Sequence, residues 1–355
     1  MIKYVIRRLL QSIPTVVGIT IIAYAVMFFA PGNPASQLLL DPELSLRQRQ
    51  LLADALGVND PFHVQYGRWL LGDAPVEIFG VRVYEGRQTP IIDRRGNVTG
   101  YRDGTGLGVL RGDFGRSIVS KQPAADVIAG TIGATLELGW LSLAIGLVVG
   151  IPVGVLAAVW QGSIFDQITR VLSVVVSSIP VFWLGLILLL IFGSSLQWLP
   201  MGGRFPNSIS GEYTAWDRIS RLILPVATLS SFTIATYSRF MRASLLDVLN
   251  QDYVRTAYSK GLSNRAVWFG HALRNALIPI ATLLGPSLTL VITGAVLTET
   301  IYSWPGMGRL LVAAVNTQDY PVIMATVLII AVATIIGYLI SDVLYAVFDP
   351  RVRLS

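Results

Sequence analysis

Cysteine is absent from the 355 residues of this chain, and histidine occurs only as His63 and His271. Without cysteine, disulfides, thiolate metal sites and cysteine catalysis are excluded. The motifs H-E-x-x-H, G-x-S-x-G and G-x-x-x-x-G-K-[ST] are also missing, which removes zinc-protease, serine-hydrolase and phosphate-loop interpretations. We therefore expect no catalytic residue, no metal site and no cofactor in this chain. Any use of ATP would fall to another subunit.

Charged residues are scarce, at 14% of the chain, whereas 53% of the residues are hydrophobic and the mean hydropathy is +0.61. A soluble domain carries about 25% charged residues. Lipid leaves open backbone groups unsatisfied, and the apolar runs lack the alternation of barrel strands, so they must be helices. The predicted fold class is an all-α polytopic membrane protein with six transmembrane helices. The predicted spans are Leu9–Ala30, Ile132–Trp160, Val171–Ser195, Leu222–Ser238, Ala276–Thr298 and Pro321–Phe348.

Basic residues cluster on one side of these spans, and this asymmetry predicts the orientation. The N-terminal tail and the loops on its side hold far more Lys and Arg than Asp and Glu, so both termini are predicted to be cytoplasmic. The first span is longer than the apolar part of a signal peptide and is expected to stay uncleaved. His63 and His271 then lie on opposite sides of the membrane and form no metal-binding pair. The net charge of +6 reflects topology, and we expect no nucleic-acid partner.

The segment 31–130 is predicted to be a small α+β domain outside the membrane, inserted between the first two spans. Its sequence SLRQRQLLADALGV is typical of an amphipathic helix that begins after Ser45 and ends at Gly57. A strand-rich insert covers about 73–111, with turns at 95–97 and at Asp103-Gly104. Three roles stay open for this domain: it meets a soluble partner, gates a substrate, or shields helix ends.

Small residues recur every four positions in the second span, at Ser142, Gly146, Gly150, Gly154 and Ala158. Such a ridge lets another helix approach closely. Packing within the same chain is the favoured interpretation, and a dimer interface is the alternative.

Few acids lie within or beside the predicted spans, and none lies near the membrane midplane. Glu137 is near one end of the second span, Asp342 is near the end of the sixth, and Glu299 follows the fifth. A carrier driven by protons or sodium usually needs an intramembrane carboxylate or a broken-helix ion site. No filter-like repeat or ring of charge indicates a channel either.

The segment 252–279, which we call the elbow, is cationic although it joins two apolar spans. Its first helix, Asp252–Lys260, is predicted to place Tyr253, Val254, Ala257 and Tyr258 on one face, with Gly261 as its left-handed end and Leu262 as the following apolar contact. Ser263 is predicted to cap a second helix. The residues expected to line one side of that helix are Val267, Trp268, His271 and Ala272.

Three roles for the elbow remain open from the residues alone. It docks a cytoplasmic protein, lies on anionic lipid, or packs on helices of its own chain.

The elbow sequence RTAYSKGLSNRAVWFGHALRNALIP resembles the EAA loop of ABC importer permeases. Further motifs of the dipeptide/oligopeptide/nickel class of these permeases follow in order, among them APGNP, GDFGRSI, SSIPVFWLG, ETIYSWPGMGRLL and DVLYAVFDPRVR. The chain is similar to the first of the two permeases in such a system. The resemblance implies the type I importer permease fold and a bacterial or archaeal cytoplasmic membrane. It also implies binding-protein-dependent import.

The resemblance assigns roles to individual residues. Thr256-Ala257-Tyr258 stand where the general loop has Glu-Ala-Ala, so only the central alanine is kept. The residues implied to couple the chain to an ATPase are Arg255, Thr256, Ala257, Lys260, Gly261, Leu262 and Pro279. Ala257 and Gly261 would allow close approach. The residues implied to meet a binding protein outside are Trp304, Pro305 and Arg309. The polar mid-span residues that would line the path, or bond to their own helices, are Ser177, Ser178, Thr228, Ser231, Thr289 and Thr293.

The implied partners are a second homologous permease, two ABC ATPases that bind ATP and Mg, an extracytoplasmic substrate-binding protein and the lipid bilayer. Small peptides are the implied substrate, with nickel chelates, haem and oligosaccharides as alternatives. The insert 73–111 departs from many relatives. A stand-alone carrier or channel, and a membrane-anchored interaction protein, are the alternative functions. The predicted domains are 1–30, 31–130, 131–350 with a cytoplasmic coupling loop at 239–275, and a tail at 351–355.

Overall fold

The computed structural model describes residues 2–29, 60–78, 81–84, 86, 88–92, 98–206, 213–293 and 295–348. The chain divides into two compact units. The larger unit comprises Met1–Ser12, Thr131–Leu310 and Val332–Ser355, and the smaller unit comprises Ile13–Gly130 and Leu311–Ala331. The units combine segments that are distant in sequence, and the division into the four predicted domains stays a prediction.

The described residues are mostly helical, which confirms the helical membrane class. The helices in chain order are α1 (Ile2–Phe29), α2 (Phe62–Leu71), α3 (Ala124–Val159), α4 (Ile164–Ser178), α5 (Val181–Leu188), α6 (Ala215–Leu249), α7 (Asp252–Ser259), α8 (Leu273–Ala276), α9 (Ile278–Thr293), α10 (Val296–Ile301), α11 (Met307–Asn316) and α12 (Tyr320–Phe348). Two π-helical segments, Leu189–Ser195 and Ala266–Ala272, and a 3₁₀ turn, Val109–Arg111, complete the set.

Five helical segments among the described residues are long and apolar enough to cross a membrane, and a bent pair makes six if it is one span. The five are Ile6–Phe29, Ala124–Val159, Ala215–Leu249, Ile278–Ile301 and Tyr320–Val343. All five overlap predicted spans.

The third predicted span, Val171–Ser195, counts as one span only as a bent pair of helices. The structure has two helical pieces, Ile164–Ser178 and Val181–Ser195, bent by 102°. Ile179 between them is extended, with ψ of 130°, because the ring of Pro180 disfavours a helical conformation in the residue before it. The first piece also begins earlier than predicted, since the Ser163 hydroxyl caps it by accepting from the Asp166 N–H at 3.2 Å.

Helix α6 extends well beyond the predicted span Leu222–Ser238. Its start is fixed by a capping box, in which Thr214 Oγ1 accepts from the Asp217 N–H at 3.2 Å and the Asp217 carboxylate accepts from the Thr214 N–H at 2.8 Å. The apolar run ends at Arg221 and Arg239. Charged residues do not by themselves end a helix, so α6 continues past both arginines.

The small-residue ridge of α3 packs against α6 of the same chain. A Cβ added at Gly150 would lie 3.1 Å from Ile234 Cα, and one at Gly154 would lie 2.7 Å from Met241 Cβ. The favoured interpretation of the ridge is therefore confirmed. This close contact lies beside the main apolar core of the larger unit, whose buried members include Leu143, Val155, Tyr237, Met241, Leu245, Ile280 and Leu288.

The smaller unit contains two antiparallel two-stranded sheets. Strand β1 (Val76–Ile78) pairs with β2 (Val81–Tyr84), and β3 (Gln88–Ile92) pairs with β4 (Val98–Asp103). The short strands predicted within 73–111 are confirmed, and β4 ends at the predicted Asp103-Gly104 turn. The predicted helix between Ser45 and Gly57 and the turn at 95–97 lie outside the described residues.

An aromatic cluster and a buried carboxylate make further contacts within the smaller unit. Tyr24 of α1 meets Phe62 and Tyr66 of α2 with ring centroids 5.8 and 5.6 Å apart, in the edge-on geometry that aromatic pairs prefer. The buried Asp319 carboxylate accepts from the Ser117 hydroxyl, and from the Ile118 N–H at 3.0 Å.

Candidate functional site

The first half of the elbow is helix α7, and its end has the predicted geometry. Gly261 adopts a left-handed conformation with φ of +77°. The Gly261 N–H donates to Tyr258 O at 2.9 Å and the Leu262 N–H donates to Ala257 O at 3.4 Å. This pair of bonds is the Schellman ending, which favours glycine at the left-handed position. The predicted left-handed end at Gly261 is confirmed, and the apolar contact of Leu262 stays a prediction.

The second half of the elbow begins as predicted, since Ser263 Oγ accepts from the Ala266 N–H at 3.4 Å. It then winds as a π-helix over Ala266–Ala272. A π-helix bonds residues five apart, so Val267 and Ala272 share the buried side while His271 is exposed. The prediction that His271 lines the same side is wrong, because it assumed the spacing of an α-helix.

The inner face of the elbow packs on its own chain. Val254 and Val267 are fully buried, Ala257 is 7% exposed, and the cluster is completed by Val248 and Leu249 near the end of α6. Ala257 was expected to let a partner approach closely. That expectation is wrong, since the side chain is covered by the chain's own residues and its small size serves this internal contact.

The outer face of the elbow presents cations beside apolar surface. Arg255, Thr256, Lys260, Gly261 and Leu262 are exposed. A Cβ at Gly261 would meet no atom within 4 Å. Arg255 lies 3.7 Å from Asp252, but both side chains are largely in solvent, where such a pair contributes little.

Two side-chain hydrogen bonds fix the aromatic rings of this outer face. Trp268 Nε1 donates to Tyr258 Oη at 3.0 Å, and Asn275 Nδ2 donates to Tyr253 Oη at 2.7 Å. Both bonds connect the two halves of the elbow, so the outer face is held as one surface. Pro279, the last residue of the predicted set, is exposed at the start of α9.

The loop between α10 and α11 holds the residues predicted to meet a binding protein. Trp304 is fully buried and its indole N–H donates to Ala134 O at 2.8 Å. It is therefore an interior residue, and the expectation that it contacts a partner is wrong. Pro305 and Arg309 are exposed, and for them the contact stays a prediction.

Glu299 organises this same loop, a role that sequence reasoning did not assign. Its fully buried carboxylate accepts from Thr135 Oγ1 at 3.0 Å and from the Arg309 N–H at 3.0 Å. A Cβ at Gly306 would overlap the carboxylate. The signal in the sequence was an acid at the edge of an apolar span followed by the G-M-G run of residues 306–308.

Glu137 of α3 is also paired. Its carboxylate accepts from Arg204 and Arg218, each at 2.6 Å. That the acids of the spans form no ion-coupling site stays a prediction.

The six predicted path residues make mainly local contacts. Ser178, Ser231 and Thr289 each donate to a carbonyl of their own helix. Thr228 is buried and hydrogen-bonds Tyr302 Oη at 2.9 Å, Ser177 is exposed and Thr293 is half-buried. A cavity of about 380 Å³ in the larger unit is lined by other described residues, of which the polar ones are Thr135, Ser142, Thr233, Ser287, Thr298 and Glu299.

Two protein families match this chain. The family described as "Binding-protein-dependent transport system inner membrane component" matches residues 150–354. The family of the corresponding N-terminal membrane component matches residues 1–84.

Curated relatives match over nearly their whole length. The oligopeptide transport system permease protein AppB of Bacillus subtilis is 39% identical over 99% of this chain and 100% of its own. The dipeptide transport system permease protein DppB of Escherichia coli K12 is 35% identical over 99% of each chain. The glutathione transport system permease protein GsiC of Salmonella paratyphi A is 34% identical over 99% of each chain.

A solved structure of the MetNI methionine ABC transporter in inward-facing conformations matches 63% of this chain and 97% of its own, with a TM-score of 0.49 and 16% identity. That likeness is too distant to carry an argument. The two family matches and the full-length relatives suffice. The resemblance to the permeases of dipeptide/oligopeptide-class ABC importers is confirmed, and the chain belongs to the family of binding-protein-dependent transport system inner membrane components.

Proposed function

We propose that this chain forms half of the translocation path of an ATP-driven importer for small peptides. A second homologous permease supplies the other half, two ATPase subunits bind and hydrolyse ATP with Mg, and an extracytoplasmic binding protein delivers the substrate. The observation that carries this proposal is the likeness to peptide permeases over 99% of the chain. The relatives are named for oligopeptides, dipeptides and glutathione, which favours peptides over nickel chelates, haem or oligosaccharides.

The elbow is the element that would couple this chain to an ATPase on the cytoplasmic side. Its inner face is anchored on α6 through Val254, Ala257 and Val267, so a push on the outer face reaches the membrane helices. Its outer face offers Arg255 and Lys260 to acidic groups and Leu262 to an apolar pocket. These features support a docking role over a loop that merely connects two spans.

The proposed mechanism is alternating access in a type I permease fold with both termini in the cytoplasm. Closure of the two ATPases on ATP would move the elbows of both permeases, and the path would open outward to receive a peptide and inward to release it. This chain takes no covalent part in the cycle. Pro305 and Arg309 and the segment 31–130 would face the binding protein.

Co-purification from the native host tests the docking role. We expect the tagged wild-type chain to bring down two ATPases and a second permease. Gly261→Trp places a large side chain on the outer face of the elbow, where it meets no atom of its own chain. It should therefore lose the ATPases while it keeps the second permease.

Gly112→Trp is the matched control, because Gly112 also has a left-handed φ, of +81°, with nothing within 4 Å of an added Cβ. It imposes the same backbone strain in the predicted external segment and should keep both ATPases. If both variants lose the ATPases equally, strain explains the loss and the docking role fails. If the wild-type chain purifies alone, the importer proposal fails.

A further inference from the structure

A groove of about 600 Å³ lies between α4 and α6 in the larger unit. Its back is closed by a hydrogen bond between Ser173 Oγ and Ser238 Oγ, 3.2 Å apart, and by Ala157 of α3. The remaining lining is divided into a cationic end and an apolar side. The proposed transport mechanism assigns no role to the cationic end or to the apolar side of this groove.

The cationic end is built from three arginines. Arg170, Arg239 and Arg242 line the groove, and none of the described residues that line it is acidic. Asp166, just outside the lining, is almost fully buried and accepts from Arg242 Nε at 2.6 Å and Nη2 at 2.9 Å. Arg170 Nε lies 3.5 Å from the same carboxylate. One acid against three arginines leaves two positive charges in excess.

Arg239 is the arginine of this groove whose hydrogen-bond donors are available to a ligand. Its side chain is exposed, and it makes no hydrogen bond or ion pair with the part of the chain that the structure describes. A guanidinium offers five N–H donors in a geometry that suits phosphate oxygens. The groove therefore presents the guanidinium group of Arg239 to an anion, beside the Arg242–Asp166 pair.

The apolar side of the groove consists of valines of α4. Val171, Val174 and Val175 are 62%, 55% and 48% exposed, and their spacing of i, i+3 and i+4 places them on one helix face. Arg170 immediately precedes the predicted span that begins at Val171, and Arg239 immediately follows the predicted span that ends at Ser238. Both arginines therefore stand at the border of the apolar spans, where lipid headgroups lie, and the valines continue into the hydrocarbon.

We propose that this groove binds an anionic phospholipid, with the phosphate at Arg239 and Arg170 and an acyl chain along the three valines. Basic pockets between membrane helices commonly bind anionic headgroups. A free phosphate would use the arginines but gain nothing from the valines. The combination of charge and apolar surface on one groove selects a lipid.

The test uses the full-length chain purified in mild detergent and titrated with phosphatidylglycerol, with binding followed by native mass spectrometry. Arg239→Gln should weaken phosphatidylglycerol binding about tenfold, because it removes a charged phosphate contact. Arg274→Gln is the matched control, since Arg274 is exposed on the elbow and lies outside the groove. It should change binding by less than about twofold. Phosphatidylcholine with the same acyl chains should bind at least about tenfold more weakly than phosphatidylglycerol.

Val175→Gln tests the acyl side and should weaken phosphatidylglycerol binding while the arginines stay in place. Val175 is exposed, so an unchanged Tm without lipid is expected and excludes misfolding as the cause. The proposal is overturned if Arg239→Gln and Arg274→Gln have equal effects, or if phosphatidylcholine binds as well. Displacement of the lipid by inorganic phosphate at equal concentration, with no effect of Val175→Gln, would identify a free-anion site instead and would also overturn it.

Discussion

A single buried carboxylate can fix a whole loop, and Glu299 does so between α10 and α11. Its oxygens receive the Thr135 hydroxyl and the Arg309 N–H, and Thr135 Oγ1 in turn accepts from the Met307 N–H at 2.7 Å. Glu299→Ala would leave the Thr135 hydroxyl and the Arg309 N–H without this acceptor, at about 1–3 kcal/mol for each. We expect the unfolding free energy to fall by about 2–6 kcal/mol in total, measured as a lower Tm in detergent.

Thr300→Ala is the control for this prediction. The Thr300 side chain is exposed and donates only to Val296 O of its own helix, at 2.7 Å, so its loss should cost no more than about 0.5 kcal/mol. An equal Tm for the two variants would contradict the role assigned to Glu299.

Residue-scale prediction from the sequence succeeded where the cause is local and failed where it is tertiary. Gly261 and Ser263 act on backbone groups within a few positions of themselves, so the sequence was sufficient to place them. Ala257 and Trp304 were expected to face partners. Ala257 is covered by the end of α6 and the second half of the elbow, and Trp304 is covered by helices that are distant in sequence. Burial depends on which helices meet, and no short motif contains that information.

At the scale of the element, the contact between α3 and α6 depends on the absence of a side chain. A Cβ at Gly154 would lie 2.5 Å from Ser238 O and 2.7 Å from Met241 Cβ. Gly154→Ala must therefore push the two helices apart, at about 1–3 kcal/mol, which exceeds the gain of about 0.5–1 kcal/mol from replacing glycine in a helix. We expect a lower Tm.

Gly133→Ala provides the comparison within the same helix. A Cβ at Gly133 meets nothing within 4 Å. Only the gain in helix stability from replacing glycine then remains, and Tm should stay equal or rise. A Gly154→Ala chain as stable as Gly133→Ala would show that the helices separate without cost, which would refute close packing along the ridge.

The long helices were predicted from apolar length, whereas the π-helix of the elbow was not. The overlap of the long helices with the predicted spans follows from hydropathy alone. The 102° bend before Pro180 leaves no mark in the hydropathy, because apolar residues lie on both sides of the break. The π-helix over Ala266–Ala272 was missed because residue spacing was counted at 3.6 per turn. The π-helix changes which side chains share a face, and it leaves His271 exposed.

At the scale of the whole molecule, the pairing of the acids bears on whether this chain could be driven by an ion gradient. Glu137 is held by Arg204 and Arg218, Glu299 by hydroxyl and backbone donors, and Asp342 lies 3.0 Å from Arg8. Each of these acids has a partner within its own unit. A carrier driven by an ion gradient usually needs an intramembrane carboxylate that exchanges its ion during transport, or a broken-helix ion site.

The corresponding prediction concerns uptake by reconstituted vesicles. The purified chain alone should take up no more labelled dipeptide than empty vesicles, with or without a proton or sodium gradient, because its acids are already engaged. Uptake should require the second permease, both ATPases, the binding protein and ATP together. Accumulation by the chain alone on an ion gradient would instead support a stand-alone carrier. Such a result would mean that one of the three pairings opens during transport, with Arg8–Asp342 the first to test because Arg8 is half exposed.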